Sequence, residues 1–281
     1  MSYRTIAVQV NESVHNLNRI GLAARLARDF GAHLVGTAVR GLPEWFYMPG
    51  MVAEPGIVQT SYLDEVHEQA KTLLNVFNGV ADRTGVTSFE GRVVDQEAAS
   101  ALCLVSRYSD LLVIGQSDPD EILFSQRADL AQYVALNSPH PVLIIPFAGA
   151  FPTVGTRIVM AWDGSMAASR AMTAALPFLR RAHSVQVAVF NPDLAPGVHG
   201  AAPGADIALF LARHGVKVEV SVSDTGDELD VGNALLSHVA DCGADLLVMG
   251  CYGHSRFREI LLGGATRTVL RSMTVPVLME H

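Results

Sequence analysis

In the second half of the chain, short apolar runs alternate with stretches whose apolar residues recur every three or four positions. The runs are RIVMAW (Arg157–Trp162), VQVAVF (Val185–Phe190), VKVEVSV (Val216–Val222), DLLVMG (Asp245–Gly250) and VPVLME (Val275–Glu280). Between them lie MAASRAMTAALPFLRRA, ADIALFLARHG, VGNALLSHVADCG and TRTVLRSM, each with helical periodicity. The runs are rich in Val, Ile and Leu with little polar alternation, as in strands buried on both faces. Strands that alternate with helices in this way predict right-handed βαβ units and a parallel sheet covered on both sides. Ligands of such sheets bind beyond the C-terminal strand ends, near the point where strand order reverses.

The pattern occurs twice. DLLVIG (Asp110–Gly115) and DLLVMG (Asp245–Gly250) differ at one position and stand at an offset of 135 residues. At that offset Val134 falls on Val269 and PVL (Pro141–Leu143) on PVL (Pro276–Leu278), a register of 34 residues without a gap. The starts also match: RTIAVQVNES (Arg4–Ser13) falls on TRIVMAWDGS (Thr156–Ser165) at an offset of 152. The first copy therefore carries 17 extra residues, read as the Pro/Gly-rich loop RGLPEWFYMPGMVAEPG. Its aromatic and Met side chains, Trp45 to Met51, are expected to pack over their own domain. The predicted fold class is α/β: two tandem, open, five-stranded parallel domains, residues 1–150 and 151–281, joined through AGAFPTVG (Ala148–Gly155). The last strands, PVLIIPF and TVPVLME, are apolar and end their copies, so each is expected to seek a partner at its edge.

Composition narrows the function. Nearly half the 281 residues are apolar and 17% are charged, which supports a packed core and argues against disorder. The formal charge is −8, with no Lys/Arg run, so a nucleic-acid partner is not expected. The N-terminal apolar run is too short for a signal peptide, and no run approaches the ~20 residues that span a bilayer. Three cysteines with no C-x-x-C pair fit a reducing, cytoplasmic setting. Cys251 lies in a glycine loop, a place open to solvent, and reads as a spacer; nothing in the sequence supports a redox role. Ten scattered histidines form no metal motif, and neither a nucleophile elbow nor paired catalytic carboxylates stand out. No catalytic residue and no metal ligand is assigned.

The candidate chemistry lies in GCYGHSRFREILLGGATRTVL, Gly250 to Leu270. Gly250 ends a predicted buried strand, and Gly263, Gly264, Ala265 and Thr266 open a helix. Glycines at such a strand end let the backbone approach a ligand, and a helix N-terminus offers unpaired N–H groups to an anion. The same features also occur as plain strand-end and helix-start glycines, and Thr266 can bind phosphate or cap the helix. There is no G-x-x-x-x-G-K-[ST] sequence, which argues against a P-loop hydrolase.

These residues resemble the ATP-binding branch of the universal stress protein family, which carries G-x-x-G, nine residues, then G-[ST]. Gly250 and Gly253 match the first pair, His254 to Leu262 are the nine, and Gly263 is the third glycine. Gly264 stands where the family pattern has Ser or Thr, so its hydroxyl is missing. The resemblance covers nearly the whole chain as a tandem of two adenine nucleotide alpha hydrolase-like (Rossmann-like) domains. It implies that Asp163, with Ala161 before it, and a position near Val189 hold the adenosine end, and that Met249 and Gly250 line the same crevice. Asp163, in Asp-Gly-Ser, reads equally as the cap of the next helix. Arg256 faces the phosphates or solvent.

The expectation is a cytoplasmic tandem universal stress protein that binds ATP, with or without magnesium, or a related adenine nucleotide, in its second domain. It would act as a stress-response regulatory module without a membrane partner, and pair as a homodimer. The alternatives are a stress-response interaction protein without a nucleotide, and a slow ATPase. Hydrolysis is expected to be slow or absent, because Glu259 is the loop's one carboxylate near the phosphates. In the first copy the aligned loop reads GQSDPDEILFSQRADLA: Gly253 becomes Asp118, Arg256 becomes Glu121 and Gly264 becomes Asp129. That copy is expected to bind no nucleotide.

Overall fold

The computed structural model describes residues 2–39, 57–121, 129–194, 202–226, 230–251 and 264–281. They form two compact units, Ser2–Val134 and Ala135–His281. The insertion loop at 40–56 lies outside the described residues.

The first unit carries β1 (Thr5–Val10), α1 (Asn16–Phe30), β2 (His33–Val39), α2 (Ile57–Thr84), β3 (Phe89–Val94), α3 (Ala98–Ser106) and β4 (Leu111–Gly115). Its strands run in the order β3-β2-β1-β4, all parallel. Ile6, Val8, Leu34, Leu112 and Ile114 are fully buried between helical layers, which explains why β1 and β4 read as continuous apolar runs. Phe77 of α2 is also fully buried, edge-on to Phe89 of β3 with ring centroids 6.2 Å apart. α4 (Leu130–Asn137) spans the division between the units.

The second unit carries β5 (Val142–Ile145), β6 (Arg157–Ala161), α5 (Met166–Leu179), β7 (Ser184–Phe190), α6 (Ala205–Arg213), β8 (Val218–Ser223), α7 (Val231–Asp241), β9 (Leu246–Gly250), α8 (Gly264–Ser272) and β10 (Val277–Glu280). Its strand order is β5-β10-β9-β6-β7-β8. Every pair is parallel except β5 with β10, which run antiparallel with Leu278 opposite Leu143. Each of the two apolar last strands thus finds its expected edge partner in the other, within one chain. β5, which the repeat register puts at the end of the first copy, therefore packs in the second compact unit. β10 is flanked on both sides, by β9 and β5, so its edge is covered.

The repeated aspartate of the DLLV motif has a structural task. Asp110 accepts hydrogen bonds through Oδ2 from the backbone N–H groups of Arg4 (2.7 Å) and Thr5 (2.9 Å). Asp245 does the same through Oδ1 for Thr156 (2.8 Å) and Arg157 (2.9 Å). Each carboxylate pins the start of its copy's first strand and satisfies two donors that the parallel ladder leaves open. It does this at the N-terminal edge of the strands, opposite to the edge where ligands of this fold class bind.

Candidate functional site

In the second unit the chain passes from β6 to β7 and β8 on one side and then returns to place β9 on the other side of β6. The reversal opens a crevice beyond the C-terminal ends of β6 and β9. The segment after β6 is built as a turn: Asp163 Oδ1 accepts from Ser165 N at 2.9 Å, with Gly164 at φ 72° between them. Ser165 then caps α5, its Oγ accepting from Ala168 N at 3.1 Å. So Ser165 is the helix cap, and Asp163, exposed at the rim, shapes the turn before it.

Gly250 at the end of β9 faces the first turn of α5. A Cβ there would stand 2.6 Å from the carbonyl carbon of Ala167, 2.9 Å from its Cβ, and in hard contact with Ala168 N. Close helix–strand packing alone requires this glycine. Met249 and Val189 are buried, and Val189 packs beside Gly204 at the start of α6, so their side chains belong to the core and leave backbone to the crevice. Ala161 is half-buried at the end of β6. Gly264 and Ala265 open α8, and Thr266 is buried one residue later. Gly253, His254, Arg256 and Gly263 lie outside the described residues. Cys251 is not open to solvent: it is fully buried, with Sγ 3.6 Å from the carbonyl oxygen of Ala135.

Two carboxylates at this edge escaped the sequence reading. Asp230 precedes α7 yet its side chain makes no capping bond there. Instead it leans on Gly264: a Cβ built on that glycine would be 2.7 Å from Asp230 Oδ1, and one on Gly232 would be 2.9 Å from Oδ2. Oδ2 is buried and has no hydrogen-bond partner among the described residues. A negative charge thus sits beside the starts of α7 and α8, where both helix dipoles favour it. A short polar residue just before VGNALL was the signal available for it.

Glu280 ends β10 opposite Gly250, and its carbonyl accepts from Cys251 N at 2.9 Å. Its Oε2 is buried without a partner among the described residues. Burial pushes the Glu280 carboxyl up from the ordinary 4.5 to about 7, with Arg170 pulling the other way. Arg170 itself donates to the carbonyl of His281 at 2.8 Å, and the His281 ring meets the carbonyl of Cys251 at 2.9 Å. Because the folded value lies above the ordinary one, ionising this carboxyl costs stability between about pH 4.5 and 7, and the whole cost is present above 7. Glu280→Gln is expected to stabilise the protein by about 1–2 kcal/mol at pH 8, after allowing for solvent screening, and to change little at pH 4.5. Urea midpoints at the two pH values measure it; equal shifts at both would contradict this assignment.

The same corner of the first unit is chemically different. Gly115 matches Gly250, but the group against it is a guanidinium: a Cβ on Gly115 would be 2.5 Å from Arg19 Nη1. Arg19 is buried, donates to Gln9 O (2.9 Å), Asn11 Oδ1 (2.5 Å) and Asn16 Oδ1 (3.0 Å), and is held down to about 10 by desolvation, with Glu121 opposing the shift. At the 152-residue offset its counterpart is Ala171.

Residues 156–281 match the family model described as the universal stress protein family. A universal stress protein of Synechocystis is 28% identical over 234 residues, which cover 75% of this chain and 72% of that protein. Among solved structures, a universal stress protein of Archaeoglobus fulgidus aligns with a TM-score of 0.72 at 17% identity, over 98% of this chain and 95% of that one. A protein of unknown function from Pseudomonas aeruginosa aligns with a TM-score of 0.59 at 15% identity, over 99% of this chain and 92% of its own. The structural likeness is one of fold. No helix among the described residues is long and apolar enough to cross a membrane.

Proposed function

We propose that the chain, whose residues 156–281 match the universal stress protein family model, binds ATP or a related adenine nucleotide in its second half and acts as a regulatory binding module in a stress response. The observation that carries this reading is the glycine spacing set against the elements around it. Gly250 closes β9 at the C-terminal edge of the strands, Gly264 opens α8, and Gly253 and Gly263 fall between them in the sequence. The residues present suit the group. The start of α8 offers N–H donors without a side chain at Gly264, and Asp163 stands exposed at the rim beside the end of β6. In this reading Asp163, Ala161 and the backbone near Val189 hold the adenosine end. Gly250, Gly253, His254, Arg256 and Gly263 to Thr266 hold the phosphates.

One chain is proposed to bind one nucleotide. In the first half the corresponding corner carries buried Arg19 and a loop with Asp118 and Glu121 in place of Gly253 and Arg256. Calorimetry of the full chain with ATP, alongside mass analysis of nucleotide released from a gently prepared sample, tests the reading. One site per chain supports it. No heat and no released nucleotide would leave the glycine loop a structural element, and two equal sites would overturn the assignment to one half.

Asp230 makes a further expectation possible. Its carboxylate lies against Gly264, so it repels a phosphate held at the start of α8. Two like charges ~4 Å apart repel by roughly 1 kcal/mol in water and about 4 kcal/mol at an effective dielectric of 20. Asp230→Asn is therefore expected to tighten ATP binding by at least about fivefold while barely changing adenosine binding. Magnesium offsets the same repulsion, so the gain should be larger in its absence. Unchanged ATP affinity would place the phosphates away from α8.

A further inference from the structure

The first unit brings together a ligand set that no motif announces. His15 leads into α1, while Asp118 and Glu121 stand in the loop after β4. One ligand atom from each, an imidazole nitrogen and two carboxylate oxygens, all lie within 4.8 Å of one another. His15 Nε2 is 2.8 Å from Asp118 Oδ2, and all three residues are half-buried. Their backbones are fixed before any ligand arrives. Glu121 Oε1 accepts from Val14 N at 2.8 Å, which ties the loop to the residue before His15. Asp118 Oδ1 accepts from Asp120 N at 2.9 Å, which leaves Oδ2 on the His15 side.

The repeat supplies an independent comparison. At the same register the second copy has Ala167, Gly253 and Arg256, none of which offers a metal an imidazole or a carboxylate. The first copy thus differs at three positions in the same chemical direction. Those positions come from chain segments about a hundred residues apart and still meet at one point. One nitrogen and two carboxylate oxygens suit a borderline first-row dication, whose bonds of about 2.0–2.2 Å put tetrahedral ligand atoms about 3.4 Å apart. The His15–Asp118 pair, at 2.8 Å, must open slightly to reach that spacing, while separations up to 4.8 Å within the set close to it. Magnesium and calcium, which prefer all-oxygen shells, are disfavoured by the imidazole.

We infer that His15, Asp118 and Glu121 form a binding site for one divalent transition-metal ion of the zinc type, with its remaining coordination positions open to water or to a ligand. This site is separate from the nucleotide reading and does not depend on it. On binding, the imidazole gives Nε2 as a neutral ligand, so any proton it shares with Asp118 is released to solvent.

The test uses the full chain stripped of metal by a chelator and titrated with zinc against a competing indicator, with cobalt as a spectroscopic substitute. One equivalent of zinc should bind at micromolar free metal, in competition with protons. His15→Gln, Asp118→Asn and Glu121→Gln should each weaken it at least tenfold, while Cys242→Ser leaves it unchanged. The cobalt complex should lack a thiolate charge-transfer band, a readout on the unaltered protein that no misfolded variant can confuse. Failure to bind zinc at tens of micromolar would mean that His15 and Asp118 are only an ion pair and would overturn the inference. Binding that survives all three substitutions would do the same. So would a cobalt–thiolate band, which would move the ion to Cys242 and His238, whose Sγ and Nε2 lie 3.6 Å apart.

Discussion

Gly250→Ala is expected to destabilise the second half of the protein by about 3 kcal/mol, the upper part of the range for overpacking a core. The reason is what the new methyl group would meet. The carbonyl carbon of Ala167 lies 2.6 Å from the Cβ position, and Ala168 N is closer still. Both are backbone atoms in the capped first turn of α5, where the Ser165 hydroxyl already accepts from Ala168 N. No rotamer change relieves such a contact; the helix must move as a body. α5 buries Ala167, Ala168, Ala171 and Ala175, small residues that allow it to lie close to β9 and β10, so lifting one end opens a seam along the whole interface. For a unit of this size the loss corresponds to a fall in melting temperature of roughly 6–12 °C. Gly115→Ala is the comparison, because its methyl group would meet the end of the Arg19 side chain rather than backbone. Thermal unfolding followed by circular dichroism gives both values. An unchanged midpoint for Gly250→Ala would show that α5 does not lie as close to β9 as described.

The contrast between those glycines shows what could be read in the sequence and what could not. The central strands of the second half were legible because they are buried on both faces: LLVM in β9 and VLM in β10 are apolar without alternation, whereas β8 at the edge exposes Val220 and Val222. The helix starts were legible where a short polar residue precedes them, as Ser165 does α5. Gly250 was legible as a residue that had to be glycine, but its reason was not. A ligand cradle and a helix pressed on a strand give the same letter, and the packing of α5 decides only that the second cause operates. Asp110 and Asp245 were visible as repeated letters without a task, since the N–H groups they hold lie 88 to 106 residues away along the chain. His15 with Asp118 and Glu121 was illegible for the same reason: a ligand set split across two distant segments leaves no spacing to recognise. The place of β5 in the second compact unit goes with its pairing to β10, a tertiary contact that a repeat register does not carry.

Gly253→Asp in the full chain is expected to abolish ATP binding, weakening it at least a hundredfold. This prediction rests on the proposed nucleotide site and on the repeat. At the 135-residue offset, position 253 is aspartate in the first copy, and the structure shows what that aspartate does there: Asp118 turns into the first unit's corner and pairs with His15 at 2.8 Å. At the 152-residue offset the second copy has Ala167 in place of His15, so the partner that Asp118 has in the first copy is not repeated. In the proposed site Asp230 already stands against Gly264, and a carboxylate in the phosphate loop would add a second negative charge toward a triphosphate. At roughly 1 kcal/mol for each pair of unit charges ~4 Å apart in water, and more where water is excluded, several such pairs exceed the 2.7 kcal/mol that a hundredfold represents. The electrostatic origin predicts an order of losses, ATP most, AMP less and adenosine least. Gly253→Ala, which adds bulk without charge, should lose far less than Gly253→Asp. Calorimetric titration of the three ligands against the three proteins tests this. Equal losses for adenosine and ATP would make the effect steric, and undiminished ATP binding by Gly253→Asp would remove the phosphates from this loop altogether.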